Sequence, residues 1–155
     1  MPSDITISQL RHKSDMLARV ADSIWHTWSL NRGLQLGDVV GKLERICRSD
    51  SEFTLVAHKE EKFVGTISVI ETDLDERAEL TPWVAAVWVD RKFRKLHIGS
   101  SLMNAAEQSA KAIGHDILHL CCAPQLSAFY TGLGWTKVED GVGNSCSSVF
   151  KKLLS

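Results

Sequence analysis

The segment from residue 87 to residue 102 combines an apolar strand, a basic loop and small residues at the start of a helix. Arg94 and Lys95 bring positive charge to the loop. A helix N-terminus offers free backbone N–H groups and the positive end of a dipole, and small side chains let a phosphate come close to them. The residues at this helix start are small: Gly99, Ser100 and Ser101. The segment therefore predicts a turn that binds a phosphate or a pyrophosphate.

The same segment resembles the acetyl-CoA motif of the GNAT (GCN5-related N-acetyltransferase) family, which is Arg/Gln-x-x-Gly-x-Gly/Ala at a strand-to-helix turn. Arg94 matches the first position and Gly99 the last, whereas His97 stands where the family usually has its first glycine. A helical backbone at His97 would tolerate the side chain, but a positive φ would cost on the order of 1 kcal/mol. The resemblance implies acetyl-CoA as co-substrate, with no metal. The implied binding residues are Val87, Trp88, Val89, Arg94, Lys95, Leu96, His97, Ile98, Gly99, Ser100 and Ser101.

A second resemblance lies near the C-terminus, where Phe129-Tyr130 and Leu133-Gly134-Trp135 match the family's Phe-Tyr-x-x-x-Gly-Phe/Trp signature. It implies that the amine attacks the thioester directly in a ternary complex and that Tyr130 protonates the departing thiolate. A phenol with a pKa near ~10 can protonate a thiolate whose conjugate acid lies near ~8.5. A packing role for Tyr130 at a helix end is the alternative. The thioester carbonyl would be polarised by a backbone N–H of Val87 or Val89.

The general base is expected in the acidic loop before the central strand. Asp73 and Glu79 are the first candidates for the base, and Glu71 and Asp75 are further ones. Glu71 is also a candidate for binding the acceptor. The alternative for each carboxylate is a solvated loop position, while the group as a whole would attract a cationic acceptor. His119 is a further candidate base, although a histidine within a strand is more often a hydrogen-bonded core residue.

Tryptophans form the predicted wall of the acceptor pocket, because the first helices and the central strand border that pocket in the family. The candidates are Trp25, Trp28 and Trp83, and the alternative for each is the hydrophobic core. His115, His119 and Cys121 would share one face of a strand, which makes a metal site conceivable. Nothing else in the sequence supports such a site, so no metal is predicted.

Hydrophobic periodicity predicts an α+β chain. The predicted strands are residues 4–10, 53–58, 63–70, 83–89, 116–122, 135–139 and 146–151, and the predicted helices are 14–30, 38–48, 98–113 and a short one from Pro124 to Gly134. Ser14 and Asp38 are the predicted caps. The resemblance implies the GNAT acyl-CoA N-acyltransferase fold, a three-layer α/β/α arrangement. Its central, mostly antiparallel sheet has about seven strands, with helices on both faces, in a single domain over residues 1–155.

Composition restricts the class of protein. The chain has 155 residues, of which 44% are hydrophobic and 24% charged, as in one ordinary globular domain. A formal net charge of −1 argues against nucleic acid as a partner. The four cysteines have no zinc or disulfide spacing, residues 1–6 lack the pattern of a signal peptide, and no apolar run reaches the ~20 residues of a membrane span. A cytoplasmic location with reduced thiols is expected.

The sequence therefore predicts an N-acetyltransferase that moves acetyl from acetyl-CoA to a primary amine. The acceptor is expected to be a small molecule, aminoglycoside- or polyamine-like, or a peptide amine. The alternative is a non-catalytic acetyl-CoA-binding or regulatory module, which His97 favours. Acetylation of aminoacyl-tRNA is a further alternative that the near-neutral charge opposes. A homodimer is expected because the C-terminal strands often build dimers in the family.

Overall fold

The computed structural model describes residues 4–145 and 147–155, and its seven strands form one mixed sheet. The strands are hydrogen-bonded in the order β1-β2-β3-β4-β5-β7-β6. The pairs β1/β2, β5/β7 and β6/β7 are antiparallel, and β4/β5 is parallel. This arrangement of strands and helices confirms the predicted α+β class and the acetyltransferase fold.

The elements follow the predicted order along the chain. The strands are β1 Ile5–Gln9, β2 Phe53–Lys59, β3 Lys62–Ile70, β4 Trp83–Val89, β5 Ile117–Cys122, β6 Thr136–Val142 and β7 Ser147–Leu153. The helices are α1 Leu17–Ile24, α2 Leu36–Cys47, α3 Ile98–Ala112 and α4 Ser127–Gly132. Residue 146, where the last strand was predicted to begin, and residues 1–3 lie outside the described residues.

The first predicted helix is interrupted rather than continuous. A 3₁₀ turn (Ser14–Met16) precedes α1, and a π-helical turn (Trp25–Ser29) and a second 3₁₀ turn (Leu30–Arg32) follow it. The predicted cap at Ser14 is wrong, because Ser14 lies inside the first 3₁₀ turn. The cap at Asp38 is also wrong, because α2 begins at Leu36 and the Asp38 carboxylate accepts the backbone N–H of Gln35 at 2.9 Å. Asp38 thus completes a capping box from the third helical position.

The described chain divides into two compact units. One comprises Met1–Ser68 and Ala86–Ala106, and the other comprises Val69–Ala85 and Glu107–Ser155. The boundaries fall inside β3, β4 and α3. Each unit therefore contains parts of elements that continue into the other.

Each unit has its own buried apolar residues. In the first, α1 and α2 pack their apolar faces on β2 and β3 around Val20, Leu43, Val56 and Phe63. In the second, the paired strands β5 and β7 place Leu120 opposite Phe150, and both side chains are buried. Burial of such side chains is the main favourable term that holds the strands in place.

β4 is buried along only part of its length. Trp83, Val84 and Ala85 are buried, whereas residues 86–89 are half-buried. The change coincides with Ala86, whose φ of 54° lies in the left-handed region. None of the described helices has the length and apolar character needed to cross a bilayer.

Candidate active site

The loop between β4 and α3 is folded by its own side chains. The Asp90 carboxylate accepts the backbone N–H of Lys92 at 2.9 Å and starts a 3₁₀ turn over Arg91–Phe93. The Arg94 Nε donates to the carbonyl oxygen of Val89 at 3.1 Å. These two bonds bring the basic loop back onto the end of β4 before α3 begins at Ile98.

His97 has a φ of 62°, and Lys95 has a φ of 67°. Both lie in the left-handed region, where glycine is favoured because a Cβ atom crowds the backbone. The sequence left open whether the backbone at His97 is helical or has a positive φ, and the structure shows a positive φ. His97 stands at the position of the motif's first glycine and adopts a backbone conformation that glycine favours, and its side chain is exposed.

The start of α3 has the features of an anion site. Ile98 and Leu102 are buried and anchor the first turn, while Gly99, Ser100 and Ser101 are half-buried. Arg94, Lys95 and His97 are exposed beside this turn. Free N–H groups, small side chains and cationic neighbours fit a pyrophosphate such as that of coenzyme A.

β3 approaches this part of the chain closely at Gly65. A Cβ atom at Gly65 would lie 3.0 Å from the carbonyl oxygen of Trp88, 3.2 Å from Leu102 Cδ1 and 3.5 Å from Val89 Cγ2. The Asp90 N–H also donates to the Val64 carbonyl at 2.8 Å. The absence of a side chain at Gly65 therefore lets β4 and the first turn of α3 pack tightly on β3.

A cleft of about 630 Å³ opens beside β4 in the same unit. Its lining residues come from α1, the π-helical turn, the start of α2, β3 and β4: Ala18, Arg19, Asp22, Ser23, His26, Thr27, Leu36, Phe63, Trp88 and Asp90. The Phe63 and Trp88 rings are stacked, with centroids 5.4 Å apart and planes 9° from parallel. The cleft thus combines an aromatic wall with two carboxylates.

The predicted acceptor tryptophans lie near this cleft in sequence but are not among its lining residues. Trp25 is half-buried against the helical core, and its indole N–H donates to the Leu34 carbonyl oxygen at 2.7 Å. Trp28 is 40% exposed. Their neighbours Ser23, His26 and Thr27 line the cleft instead.

Tyr130 lies in the second unit, within α4. Its side chain is 7% exposed and contacts the Phe129 and Phe150 rings, whose centroids lie 5.0 and 6.2 Å from its own. Burial, with a smaller contribution from Cys122 and Cys121, raises the pKa of Tyr130 to about 12. The phenol therefore remains protonated at neutral pH.

Asp73 contacts the end of β5. Its Oδ2 accepts from the Cys121 thiol at 3.5 Å. Burial and the Asp73 carboxylate raise the pKa of Cys121 to about 12, and burial also raises the pKa of Cys122. Both thiols are therefore protonated at neutral pH, and Cys121 acts as a donor to Asp73.

An ion pair attaches the acidic loop to β6. The Arg77 Nε donates to Glu139 Oε1 at 2.9 Å, and a second bond joins its terminal nitrogen to Oε2. This hydrogen bonding raises the pKa of Arg77 and lowers that of Glu139. The Glu76 carboxylate lies 3.0–3.1 Å from the position of a Cβ atom at Gly143. The loop is thus fixed at several points, and Glu71 and Glu79 lie exposed on it.

Trp83 and His119 form a buried pair opposite each other in the parallel strands β4 and β5. Trp83 is 0% exposed, and its indole N–H donates to the Leu80 carbonyl oxygen at 2.7 Å. The His119 Nδ1 lies 3.1 Å from the Pro82 carbonyl oxygen, and burial lowers the pKa of His119. Both side chains therefore have the environment of core residues.

Several of these contacts join residues that are far apart in the sequence, and sequence reasoning did not find them. They include Asp73–Cys121, Arg77–Glu139 and the Phe63–Trp88 stack. One pair of cleft residues could have been found from the sequence. Asp22 and His26 are four residues apart on a helix and therefore share a face. Across residues 4–145 and 147–155, no three His, Cys, Asp or Glu side chains group to hold a metal ion.

Comparison with solved structures shows the same fold in known acetyltransferases. An aminoglycoside 6'-N-acetyltransferase complexed with coenzyme A is 15% identical, with 97% of each chain covered and a TM-score of 0.77. The aminoglycoside 6'-N-acetyltransferase from Enterococcus faecium is 16% identical, with 97% of each chain covered and a TM-score of 0.75.

A GNAT-family acetyltransferase from Staphylococcus aureus Mu50 is 20% identical over 97% of this chain and 99% of that chain, with a TM-score of 0.70. No curated protein sequence is significantly similar to the chain. The profile described as "Acetyltransferase (GNAT) family" matches residues 17–135, which is more than half of the chain. The protein therefore belongs to the GNAT family of acetyltransferases, enzymes that use acetyl-CoA as the acetyl donor.

Proposed function

We propose that the protein transfers the acetyl group of acetyl-CoA to the primary amine of a small molecule, by direct attack in a ternary complex. The observation that carries this proposal is the turn before α3. There, His97 takes a left-handed backbone conformation at the position of the motif glycine, and small residues lie at the helix N-terminus. A peptide amine is the second class of acceptor.

The donor would be bound mainly by backbone groups. The N–H groups at the start of α3, with Gly99, Ser100 and Ser101, would hold the pyrophosphate, and Arg94, Lys95 and His97 would add donors around it. Leu96 and Ile98 complete the turn. Val87, Trp88 and Val89 would align the pantetheine arm, and an N–H of Val87 or Val89 would polarise the thioester carbonyl. The left-handed Ala86 supports this assignment, because strained backbone is concentrated at functional sites.

In the proposed reaction, the amine nitrogen forms a bond to the thioester carbon, and the carbon–sulfur bond then breaks. The amine proton passes to the base, and the thiolate of coenzyme A takes a proton from Tyr130. A buried phenol with a pKa of about 12 is protonated at neutral pH, as an acid must be before it donates, but the raised pKa makes it a weaker donor than a free phenol. The same burial that raises its pKa would raise that of a thiol beside it.

Glu79 and Asp73 are the proposed bases. Glu79 is exposed on the acidic loop, which suits proton transfer through a water molecule. Asp73 accepts a hydrogen bond from the Cys121 thiol, which stabilises its ionised form. We assign Glu79 as the first candidate, because it is exposed and Asp73 already accepts from the Cys121 thiol.

The acceptor is proposed to be a cationic amine, because the loop that carries the bases is acidic. Two of the structures with the same fold are aminoglycoside 6'-N-acetyltransferases, which is consistent with a small-molecule acceptor. Glu71, Trp25 and Trp28 are the acceptor residues proposed from the family resemblance, although none of the three lines the cleft beside β4. The burial of Trp83 favours a supporting role in the core of its own unit.

We also propose a single domain over residues 1–155, because β3, β4 and α3 each continue across the two compact units. A cytoplasmic location is supported by the three described cysteines Cys47, Cys121 and Cys122, which are free thiols. The homodimer predicted from the C-terminal strands is tested by light scattering, in which a monomer mass would refute it.

Calorimetric binding of acetyl-CoA tests the proposal at its first step. We expect Gly99→Glu to abolish binding, because a carboxylate would occupy the anion site. Gly37→Glu is the matched control, since Gly37 lies in the first turn of α2 and no described atom outside that turn would lie within 4 Å of an added Cβ atom. Binding that survives Gly99→Glu would contradict the cofactor turn.

Release of free thiol with a panel of amines tests the second step. We expect Tyr130→Phe to lower turnover by a factor of ~10² or more and to leave acetyl-CoA binding unchanged. Binding without turnover of any amine would instead support the non-catalytic acetyl-CoA-binding module. If the native chain does not bind acetyl-CoA but the His97→Gly variant does, the histidine closes the site.

A further inference from the structure

We propose that the cleft beside β4, lined by α1, the π-helical turn, Phe63 and Trp88, binds the acceptor, and that the acceptor is a monoamine with a flat apolar body. This inference rests on the proposed function and names its substrate class. It differs from the aminoglycoside-like and polyamine-like acceptors expected from the acidic loop, because the cleft has an aromatic wall and a small net charge.

The apolar wall of the cleft is rigid. Phe63 is 8% exposed and packs with Val20, Leu43 and Val56 in the helical core, which fixes its ring. Trp88 stacks on Phe63 and is half-buried, so part of its surface remains accessible. A flat apolar group placed against this pair buries apolar surface of its own and of the rings. The entropic cost is low because the rings are already fixed.

The charges of the cleft match one cation. Asp22 and Asp90 bring two carboxylates to the lining, and Arg19 brings one guanidinium. The Arg19 guanidinium donates to the Glu61 carbonyl oxygen at 3.2 Å and is held there. With His26 neutral, the lining carries a net charge of −1, because two negative charges and one positive charge remain. A polycation would leave most of its charge without a partner in this cleft.

Asp22 is the better placed of the two carboxylates for binding an ammonium group. Asp90 already caps the turn at Lys92. The Asp22 carboxylate lies 3.3 Å from the His26 ring nitrogen Nδ1, and the Asp22 side chain is 59% exposed. An ammonium group beside Asp22 would form a charge-assisted hydrogen bond.

The helix on this side of the cleft is locally widened. α1 passes into the π-helical turn at Trp25, and residues on both sides of the transition line the cleft: Asp22, Ser23, His26 and Thr27. Single π-helical turns inside helices occur frequently at functional sites. The turn places consecutive pairs of polar side chains on the surface that faces Phe63 and Trp88.

The cleft and the cofactor turn share one segment of chain. Trp88 and Asp90 line the cleft, while the Val89 carbonyl oxygen accepts from Arg94 of the cofactor turn. The Val89 Cγ2 atom lies 3.5 Å from the position of a Cβ atom at Gly65. An acceptor in the cleft would therefore lie beside the same end of β4 that the cofactor turn contacts.

Calorimetry with 2-phenylethylamine tests the inference on the full chain. We expect binding that weakens about tenfold in Asp22→Asn, since a charge-assisted bond is lost. Asp50→Asn is the matched control, because Asp50 is exposed and lies outside the cleft. The neutral probe 2-phenylethanol should bind about tenfold more weakly than the amine, and Trp88→Phe should weaken the amine severalfold.

The outcomes separate this inference from the proposed function. Unchanged amine binding in Asp22→Asn, or tighter binding of spermidine than of 2-phenylethylamine, would overturn the cleft assignment even if acetyl transfer occurs. Asp22-dependent binding without acetylation of 2-phenylethylamine would overturn its role as acceptor site, while acetyl-CoA turnover with other amines would leave the proposed function intact.

Discussion

At the scale of single residues, the backbone at His97 is the clearest source of strain in the cofactor turn. A non-glycine residue in the left-handed region costs about 1–2 kcal/mol, and glycine adopts it freely but loses more entropy on folding. His97→Gly should therefore raise the free energy of unfolding by about 0.5–1 kcal/mol, measured by urea denaturation. His97→Ala, which keeps a Cβ atom, should leave it nearly unchanged. Equal gains from both variants would contradict a backbone origin.

Tyr130 allows a direct test of its protonation state because it is the only tyrosine of the chain. Ultraviolet absorbance of the phenolate should show no ionisation of the native protein at pH 10, since burial raises the pKa of Tyr130 to about 12. In urea the pKa should return to ~10. Because the folded pKa is raised, this group stabilises the fold below pH ~10, and the contribution is lost as the pH rises toward 12.

Tyr130→Phe supplies the control for this titration. It should remove the whole absorbance change and flatten the part of the stability-against-pH curve that belongs to Tyr130. A native phenolate signal with a midpoint near 10 would show that the phenol is in contact with water. The acid role would be unaffected by that result, because a phenol with a pKa of ~10 is still protonated at neutral pH.

At the scale of elements, two glycines in the first unit have opposite roles. Gly65→Ala should lower the free energy of unfolding by about 1–3 kcal/mol, because its Cβ atom would lie 3.0 Å from the Trp88 carbonyl oxygen. Gly41→Ala should raise it by about 0.5–1 kcal/mol, because Gly41 lies inside α2 and the nearest atom, Arg45 Nη1, is 3.9 Å away. Urea denaturation of both variants measures the difference, and shifts of the same sign would refute the close approach at Gly65.

Sequence periodicity predicted where most elements lie but not their internal form. The spacing of Val20, Ile24 and Trp28 indicated a helix, and the chain is helical there, yet α1 gives way to a π-helical turn at Trp25. Spacings of three and four fit α, π and 3₁₀ turns almost equally well over so short a stretch. Asp38 was predicted as a cap because the pattern cannot tell the residue before a helix from its third residue.

The candidate site was predictable where it is contiguous in sequence. The proposed cofactor turn occupies one run from Val87 to Ser101, so residue types and spacing were enough to predict it. The partner of Asp73 is Cys121, and the partner of Arg77 is Glu139; each pair joins distant parts of the chain. Such contacts are set by strand order and register, which local patterns do not contain.

At the scale of the whole molecule, the order of the strands was not evident from the sequence. β7 lies between β5 and β6, so the last strand enters the sheet beside β5 and leaves β6 at the end of the order. The apolar patterns of β5, β6 and β7 would fit equally well a sheet in which β6 lies between β5 and β7. Pairing of distant strands depends on total burial, which only the complete chain defines.

The two compact units should unfold together, because their boundaries cut through β3, β4 and α3. Separate unfolding would require each of these elements to break within its own hydrogen-bonded run, which costs more than a break in a flexible linker. Cys47 and Cys122 are free thiols that belong to the first and the second unit, respectively. Pulsed thiol labelling in increasing urea, resolved by mass spectrometry, therefore follows each unit separately.

We expect the labelling midpoints of Cys47 and Cys122 to coincide, as for a single domain. Gly65→Ala, a change in the first unit, should move both midpoints to lower urea by the same amount. Distinct midpoints, or a shift confined to Cys47, would show that the units are separate folding domains. Acetyl-CoA, which is proposed to bind the turn before α3 in the first unit, should raise both midpoints only if the chain unfolds as one.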